Sequence, residues 1–163
     1  MTASSFYTTL KSPIGELVLT ASEKGLTGLY TPEHPLYEEA KKGERDPGPF
    51  KAAVKQLDEY FSGKRTEFSL PLAATGTDFQ KRTWKALRTI RFGKTQSYGQ
   101  IAKALKSPNA SRAVGLANSK NPVCIIVPCH RVIGANGKLT GYAGGLKAKK
   151  WLLNHEAASK NRG

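Results

Sequence analysis

Between Asp78 and Glu156 the chain carries no carboxylate side chain, and that gap divides it in two. From Gly76 onward 17 Lys and Arg stand against two acids, Asp78 and Glu156, a balance of +15. Residues 1 to 75 hold 9 Lys and Arg against 10 acids, a balance of −1. A surface built only for solvation mixes its signs, so a one-signed half is the composition of a polyanion-binding surface. The competing reading is a chain that is basic merely for solubility. The small, turn-prone "PLAATGT" lies where the balance changes, and the predicted boundary falls there, giving units 1–75 and 76–163. At 163 residues the chain can bury a core as one domain or as two small ones.

The halves also differ in period. "SFYTTLKSPIGELVLTASEKGLTGLYT" reads as three short strands separated by the turn-like "SPIG" and "SEKG". Further on, "FKAAVKQLDEYFSG" places Phe50, Val54, Leu57 and Phe61 on one helical face, with Gly63 as its stop. "TEFSLPL" is a candidate further strand. Past the boundary, Asp78 is a candidate N-cap for a helix whose apolar set is Phe79, Trp84, Leu87 and Ile90. "GQIAKALK" and "SRAVGLANSK", joined by "SPNA", have the shape of a helix-turn-helix. Any αα-corner reads the same way, so the weight of this signal comes from its place in the basic half. "LKAKKWLLNHE" closes the pattern as a helix with Leu146, Trp151 and Leu152 facing inward. The predicted class is α+β. No apolar run approaches the roughly 18 residues of a membrane span. The first residues show no basic head followed by an apolar stretch, so a cytoplasmic protein with reduced thiols is expected.

The chemistry concentrates in "NPVCIIVPCHRVIG". Zinc wants about four Cys, His or carboxylate ligands, and Cys124, Cys129, His34, His130 and His155 offer no CxxC or HxxxH spacing. No metal and no cofactor are expected. Cys124 sits inside "VCIIV", read as a continuous apolar strand, and is predicted to be core. Cys129 follows the proline that ends this run and is flanked by His130 and Arg131. Nearby positive charge lowers a thiol's pKa, so Cys129 is the predicted thiolate nucleophile. Adjacent side chains of an extended segment point apart, so contact between Cys129 and His130 needs a sharp turn or a bridging water. Glu156 stands near the end of the last helix, where a carboxylate opposes the helix dipole. Two readings stand level: a third group that orients His130, and a solvated terminal glutamate.

With "GTDFQKRTWKALRTIRFGKTQSYGQIA", "SRAVGLANSKNP" and "GYAGG" around "PCHRVIG", the chain resembles the methylated-DNA–protein-cysteine methyltransferase family, which repairs O6-alkylguanine in DNA. The likeness runs over nearly the whole length. It implies a ribonuclease-H-like sheet-and-helix domain, then a helical domain of winged helix-turn-helix type. It also implies an irreversible, stoichiometric transfer of the alkyl group to Cys129, on O4-alkylthymine as well as on O6-alkylguanine. A Cys–water–His–Glu relay would join Cys129, His130 and Glu156, with Asn121 bracing the segment. The target atom is inaccessible inside a duplex, so the base must leave the stack. In that picture Arg112 fills the vacated place; its other reading is one more phosphate contact. Ala113, Gly115 and Ala117 give the second helix a slim face for the minor groove, or for tight packing. Tyr98 crowds the phosphate and bonds the flipped base, and the backbone of Val132 and Ala143, beside Tyr142, forms the guanine pocket. The expected partner is double-stranded DNA, bound by a monomer, with cooperative binding open. Position 143 is Ala where some relatives carry Ser, the zinc cysteines of some relatives are absent, and no fused phosphotriester-repair domain is expected.

Three other functions share parts of this pattern. An alkyltransferase-like lesion sensor would lack the nucleophile. A helix-turn-helix regulator would need no "PCHR", and a Cys–His hydrolase has no use for the basic half.

Overall fold

Ser12 to Gly15 turns the chain back on itself. The Ser12 hydroxyl donates to the Gly15 carbonyl (2.6 Å) and accepts from the Ile14 N–H (3.2 Å), while Gly15 takes the φ of +105° that the reversal needs. This turn opens a computed structural model that describes residues 5–137, 139 and 142–162. The turn joins β1 (Phe6–Ser12) to β2 (Gly15–Ser22), and a second reversal at Gly25 leads into β3 (Gly25–Tyr30). A Cβ on Gly25 would lie 2.5 Å from the Pro71 carbonyl, so only glycine lets the two backbones approach. β2 is central and buried from Leu17 to Ala21 because both of its faces are covered. Leu17, Leu19 and Ala21 enter the main core, whereas Val18 packs with Tyr30 and Tyr37 on the opposite face. That second face is roofed by α1 (Tyr37–Ala40), whose Tyr37 hydroxyl donates to the Glu16 carbonyl at 2.7 Å. β4 (Glu44–Arg45) adds in parallel to β1, giving the order β3-β2-β1-β4.

α2 (Lys51–Phe61) buries Phe50, Ala53, Leu57 and Tyr60, not the expected set of Phe50, Val54, Leu57 and Phe61. The inward stripe runs 50-53-57-60, so the bulky Val54 and Phe61 flank it and stay half-buried. The candidate strand "TEFSLPL" forms only a single bridge, Leu72 to Leu26, held by Leu26 N–H to Pro71 O (2.9 Å) and Ala73 N–H to Leu26 O (2.7 Å).

α3 (Asp78–Leu87) is capped by Thr77 and not by Asp78. Thr77 Oγ1 accepts from Gln80 N–H (3.1 Å) and Gln80 Oε1 accepts from Thr77 N–H (2.9 Å), a reciprocal capping box. Asp78 is the first helical residue, where its charge still suits the dipole. After β5 (Gln96–Ser97), the same device starts α4 (Tyr98–Ala104), with Ser97 and Gln100 as the pair. α5 (Ser111–Ser119) follows across the predicted turn, where Lys106 takes a φ of +59° and the Ser107 N–H bonds the Ala102 carbonyl. Trp84 Nε1 donates to the Ala117 carbonyl at 2.8 Å and locks α3 onto α5. β6 (Val132–Ile133) pairs in parallel with β5 as a small wing. α6 (Leu146–Arg162) buries Ala148, Lys149, Leu152 and Glu156; Leu146, expected inward, is 50% exposed.

"VCIIV" is not a strand. Only Val123 bridges, to Leu29, and the chain then coils through Ile126 N–H to Cys124 O (2.8 Å) and Val127 N–H to Val123 O (3.0 Å), with Ile125 at a φ of +72°. The Asn121 side chain holds this coil, accepting from Val123 N–H (3.0 Å) and donating to Val127 O (2.9 Å). Leu29 brackets it from the sheet, donating to Pro122 O (2.8 Å) and accepting from Cys124 N–H (3.3 Å). One apolar core runs through both halves, from Leu19 and Leu57 to Leu87, Ile101 and Leu152. Among the described residues no helix is long and apolar enough to cross a membrane.

Candidate active site

Pro128 ends the coil, and Cys129–Arg131 form one 3-10 turn, closed by Arg131 N–H to Pro128 O at 3.0 Å. The chain thus makes a sharp turn here, one of the two devices, with a bridging water, expected to let Cys129 and His130 cooperate. It buries both residues and aims His130 at α6.

There Glu156 is 1% exposed, which removes the reading of a solvated terminal glutamate. Its carboxylate receives His130 Nε2 and the Tyr60 hydroxyl on Oε2, each at 2.6 Å. Arg131 grips both oxygens, Nε on Oε1 at 2.8 Å and Nη2 on Oε2 at 3.0 Å, and the Gly93 N–H reaches Oε1 at 3.3 Å. Arg131 Nη1 donates to the Ile90 carbonyl at 2.6 Å, so the guanidinium is itself pinned. Five donors on one carboxylate make it a fixed anion. Burial alone would raise the Glu156 pKa, but His130 and Arg131 outweigh it and hold the carboxyl well below the usual carboxylate range.

His130 is also lowered, but for a different reason. Burial is the largest influence and lowers its pKa; Glu156 opposes this, Arg131 and Lys149 add to it, and the net shift is downward. The pair is therefore ionised at Glu156 and neutral at His130, chiefly because burial disfavours the charged imidazole, with Arg131 balancing the carboxylate's charge. An ionised carboxylate only accepts, so the ring proton sits on Nε2 and Nδ1 keeps its lone pair. Nδ1 is buried and has no hydrogen-bond partner among the described residues.

The two cysteines, both free and buried, are driven apart in acidity. The Cys124 thiol acts as donor to Cys129 and is the largest influence lowering the Cys129 pKa. Burial opposes it; Asn121 and Tyr142 assist, and Lys149 contributes least. The expectation that the general basic field would do this is corrected: the neighbouring Arg131 is neutralised by Glu156, and short-range donors dominate. Cys124 is pushed well up by the same partnership with Cys129 and by burial. Burial, then the two cysteines, keeps the Tyr142 hydroxyl protonated, although it makes no hydrogen bond of ordinary geometry among the described residues. Lys149 is wholly buried and donates to the Val132 carbonyl at 2.7 Å.

Cys129, His130, Glu156, Asn121, Val132 and Tyr142 thus lie in the buried core around this turn. Ala143 is half-buried beside Gly144, whose carbonyl accepts the Thr31 hydroxyl at 2.6 Å. Arg112 and Ala113 do not share this burial; they are exposed on the first turn of α5. A Cβ on Gly115 would stand 3.7 Å from the Tyr98 ring, an ordinary contact, so packing alone does not demand glycine there. Ala117 is buried against Trp84 and does not belong to the exposed slim face; Leu116, 61% exposed, does. Sequence reasoning missed Tyr60, Lys149 and the paired role of Arg131. Only the tightly spaced "HR" pair offered a signal for the last.

The family model for the ribonuclease-like domain of 6-O-methylguanine DNA methyltransferase matches residues 5–74, and that for its DNA binding domain matches residues 78–158. The methylated-DNA–protein-cysteine methyltransferase of Mycobacterium tuberculosis H37Rv is 53% identical over 150 residues, covering 92% of this chain and 91% of the relative. That of Methanosarcina acetivorans is 47% identical over 160 residues, with 94% and 99% covered. A crystal structure of the M. tuberculosis protein in complex with DNA superposes with a TM-score of 0.87 at 52% identity, over 94% of each chain. Two successive domain matches and about half the residues shared along nine-tenths of the length settle the kinship: the chain belongs to the methylated-DNA–protein-cysteine methyltransferases, DNA-binding enzymes of DNA repair.

Proposed function

We propose that the protein restores O6-alkylguanine in duplex DNA by moving the alkyl group to Cys129, once per molecule. The observation that carries this reading is the buried His130, with Nε2 committed to an ionised Glu156 and Nδ1 left as a lone pair, one residue along the same turn from an acidified thiol. In the proposed step a water relays the Cys129 proton to His130 Nδ1. The thiolate attacks the alkyl carbon, the carbon–O6 bond breaks, and the departing guanine takes up one proton at N1, so that His130 ends neutral. The product is a thioether, which has no ready leaving group, and the protein does not turn over. Glu156 does not shuttle protons; it fixes the tautomer and orientation of His130.

The buried position of Cys129 supports extrusion of the base, since the alkyl carbon has to be brought to the sulfur. Arg112 fills the gap left in the stack, and the narrow Ala113–Gly115 face of α5 lies in the minor groove. Tyr98 crowds the phosphate and bonds the flipped base, while the Val132 carbonyl and the Ala143 N–H read its edge. A carbonyl has two acceptor sites, so Val132 can serve both Lys149 and a base. Asn121 keeps the coil before Cys129 in place. The same pocket would admit O4-alkylthymine. The protein acts as a monomer in the cytoplasm, whose reducing medium keeps Cys129 a thiol, and its working units divide at Thr75. Intact-mass and peptide analysis after incubation with an O6-methylguanine duplex tests this. One methyl group per molecule on Cys129, with no second turnover, is expected; modification of Cys124 or repeated turnover overturns it.

A further inference from the structure

Tyr60 lies near the end of α2, in the half of the chain that holds neither the nucleophile nor the basic excess. Its hydroxyl donates to Glu156 Oε2 at 2.6 Å, and His130 Nε2 meets that same oxygen at 2.6 Å. The ring is fixed on several sides, edge-on to Phe61, Phe92 and His155, and tilted against Phe68. His155 Nε2 also bonds the Tyr60 carbonyl at 2.7 Å. Burial, then the adjacent carboxylate, pushes the phenol well above its usual pKa, so it stays a donor at any working pH.

The other groups facing Glu156 are Arg131, through Nε and Nη2, and the Gly93 N–H. Lys149, almost two turns earlier on α6, acts on His130 in the same sense as Arg131, against protonation. Tyr60 is the one donor to this carboxylate, among the described residues, that comes from the N-terminal half. A carboxylate whose charge is shared among more donors attracts a proton onto a neighbouring imidazole less strongly.

We propose that Tyr60 is a positioning residue for alkyl transfer: by sharing Glu156 Oε2 with His130, it holds His130 in the neutral form that accepts the Cys129 proton. The inference rests on the reading of His130 as the base. It also gives the N-terminal half a part in the chemistry beyond covering the core.

The test is the pH dependence of single-turnover transfer from a methylated duplex, from about pH 5 to about pH 9. Three proteins are compared with the wild type: Tyr60→Phe, which keeps the ring; a ring-fluorinated tyrosine at position 60, a stronger donor; and His130→Gln. In the wild type the rate falls on the acid side as His130 takes a proton. Removing the phenol lets Glu156 pull harder on that proton, so the acid limb of Tyr60→Phe moves up by about half to one pH unit relative to its own plateau. That is a roughly three- to tenfold loss below the limb. The fluorinated residue moves the limb down, and it decides alone should Tyr60→Phe fail to fold. An unmoved limb, with rate lowered equally at all pH values or only stability reduced, overturns the inference and leaves Tyr60 as packing. A limb that persists unchanged in His130→Gln, or is missing from the wild type, overturns the base assignment and this inference with it.

Discussion

In the buried wall made by the Cys129–Arg131 turn and α6, every charge has a fixed partner; on the exposed face of α5, none is held by a carboxylate among the described residues. Arg131 is 5% exposed and makes three hydrogen bonds, two to Glu156 and one to the Ile90 carbonyl. Arg112 is exposed, near the start of its helix, and makes no ion pair among the described residues. The same side chain therefore does two jobs. Where water is excluded, an arginine sets the ionisation of its neighbours; where water is present, it supplies mobile charge to a polyanion. Substitutions in the first region should act on stability and pH dependence, and those in the second on DNA alone.

Glu156→Gln should break the comparison most strongly. It leaves Arg131 buried without a counter-charge, and losing one partner of a buried pair costs about 3–5 kcal/mol. A shift of the denaturant midpoint with unchanged slope measures it, and a loss near that of a surface substitution would show that water reaches the wall. The wild type carries the pH signature of both partners. Glu156 has a folded pKa below its unfolded value, so its contribution is present above the ordinary carboxylate range, about 4.3, and is lost as pH falls through the folded value. His130 also has a lowered folded pKa, so stability declines as pH drops below the ordinary histidine value of about 6.5. Glu156→Gln should flatten the lower of these two steps.

Arg112→Ala sharpens the other side. If the guanidinium fills the stack, transfer from duplex should slow relative to transfer from a free alkylguanine base by on the order of a hundredfold, since unstacking costs a few kcal/mol. An unchanged ratio would leave Arg112 as a phosphate contact. The smallest effect is expected at Lys120, exposed just beyond α5. Lys120→Ala should weaken damaged and undamaged duplex alike and reduce the slope of log affinity against log salt by about one. A slope that does not move would place Lys120 outside the DNA footprint.

The regions also differed in how far they could be read beforehand. The first three strands of the four-stranded sheet and the paired helices α4 and α5 follow from local period and turn chemistry, and the structure has them. Reading failed where two local signals competed. Thr77 displaces Asp78 as cap because Gln80 lies three residues beyond it and completes a reciprocal bond. "VCIIV" has the composition of a strand, yet the Asn121 side chain takes the backbone groups a ladder would use. On α2, the spacing of Phe50, Val54, Leu57 and Phe61 suggested a face that packing rotated, bringing Ala53 and Tyr60 inward.

By itself the sequence determined the α+β class, the one-signed charge of the second half, and the presence of a cysteine and histidine directly after a proline that ends an apolar run. These depend on neighbours a few residues apart, where backbone stereochemistry leaves few choices. The tertiary structure alone decided that Glu156 is buried, that Arg131 neutralises it, and that Tyr60, 96 positions away, shares its oxygen with His130. Such partners meet only after the common core of both halves has closed and excluded water, and no local pattern records which distant donor will face a given carboxylate.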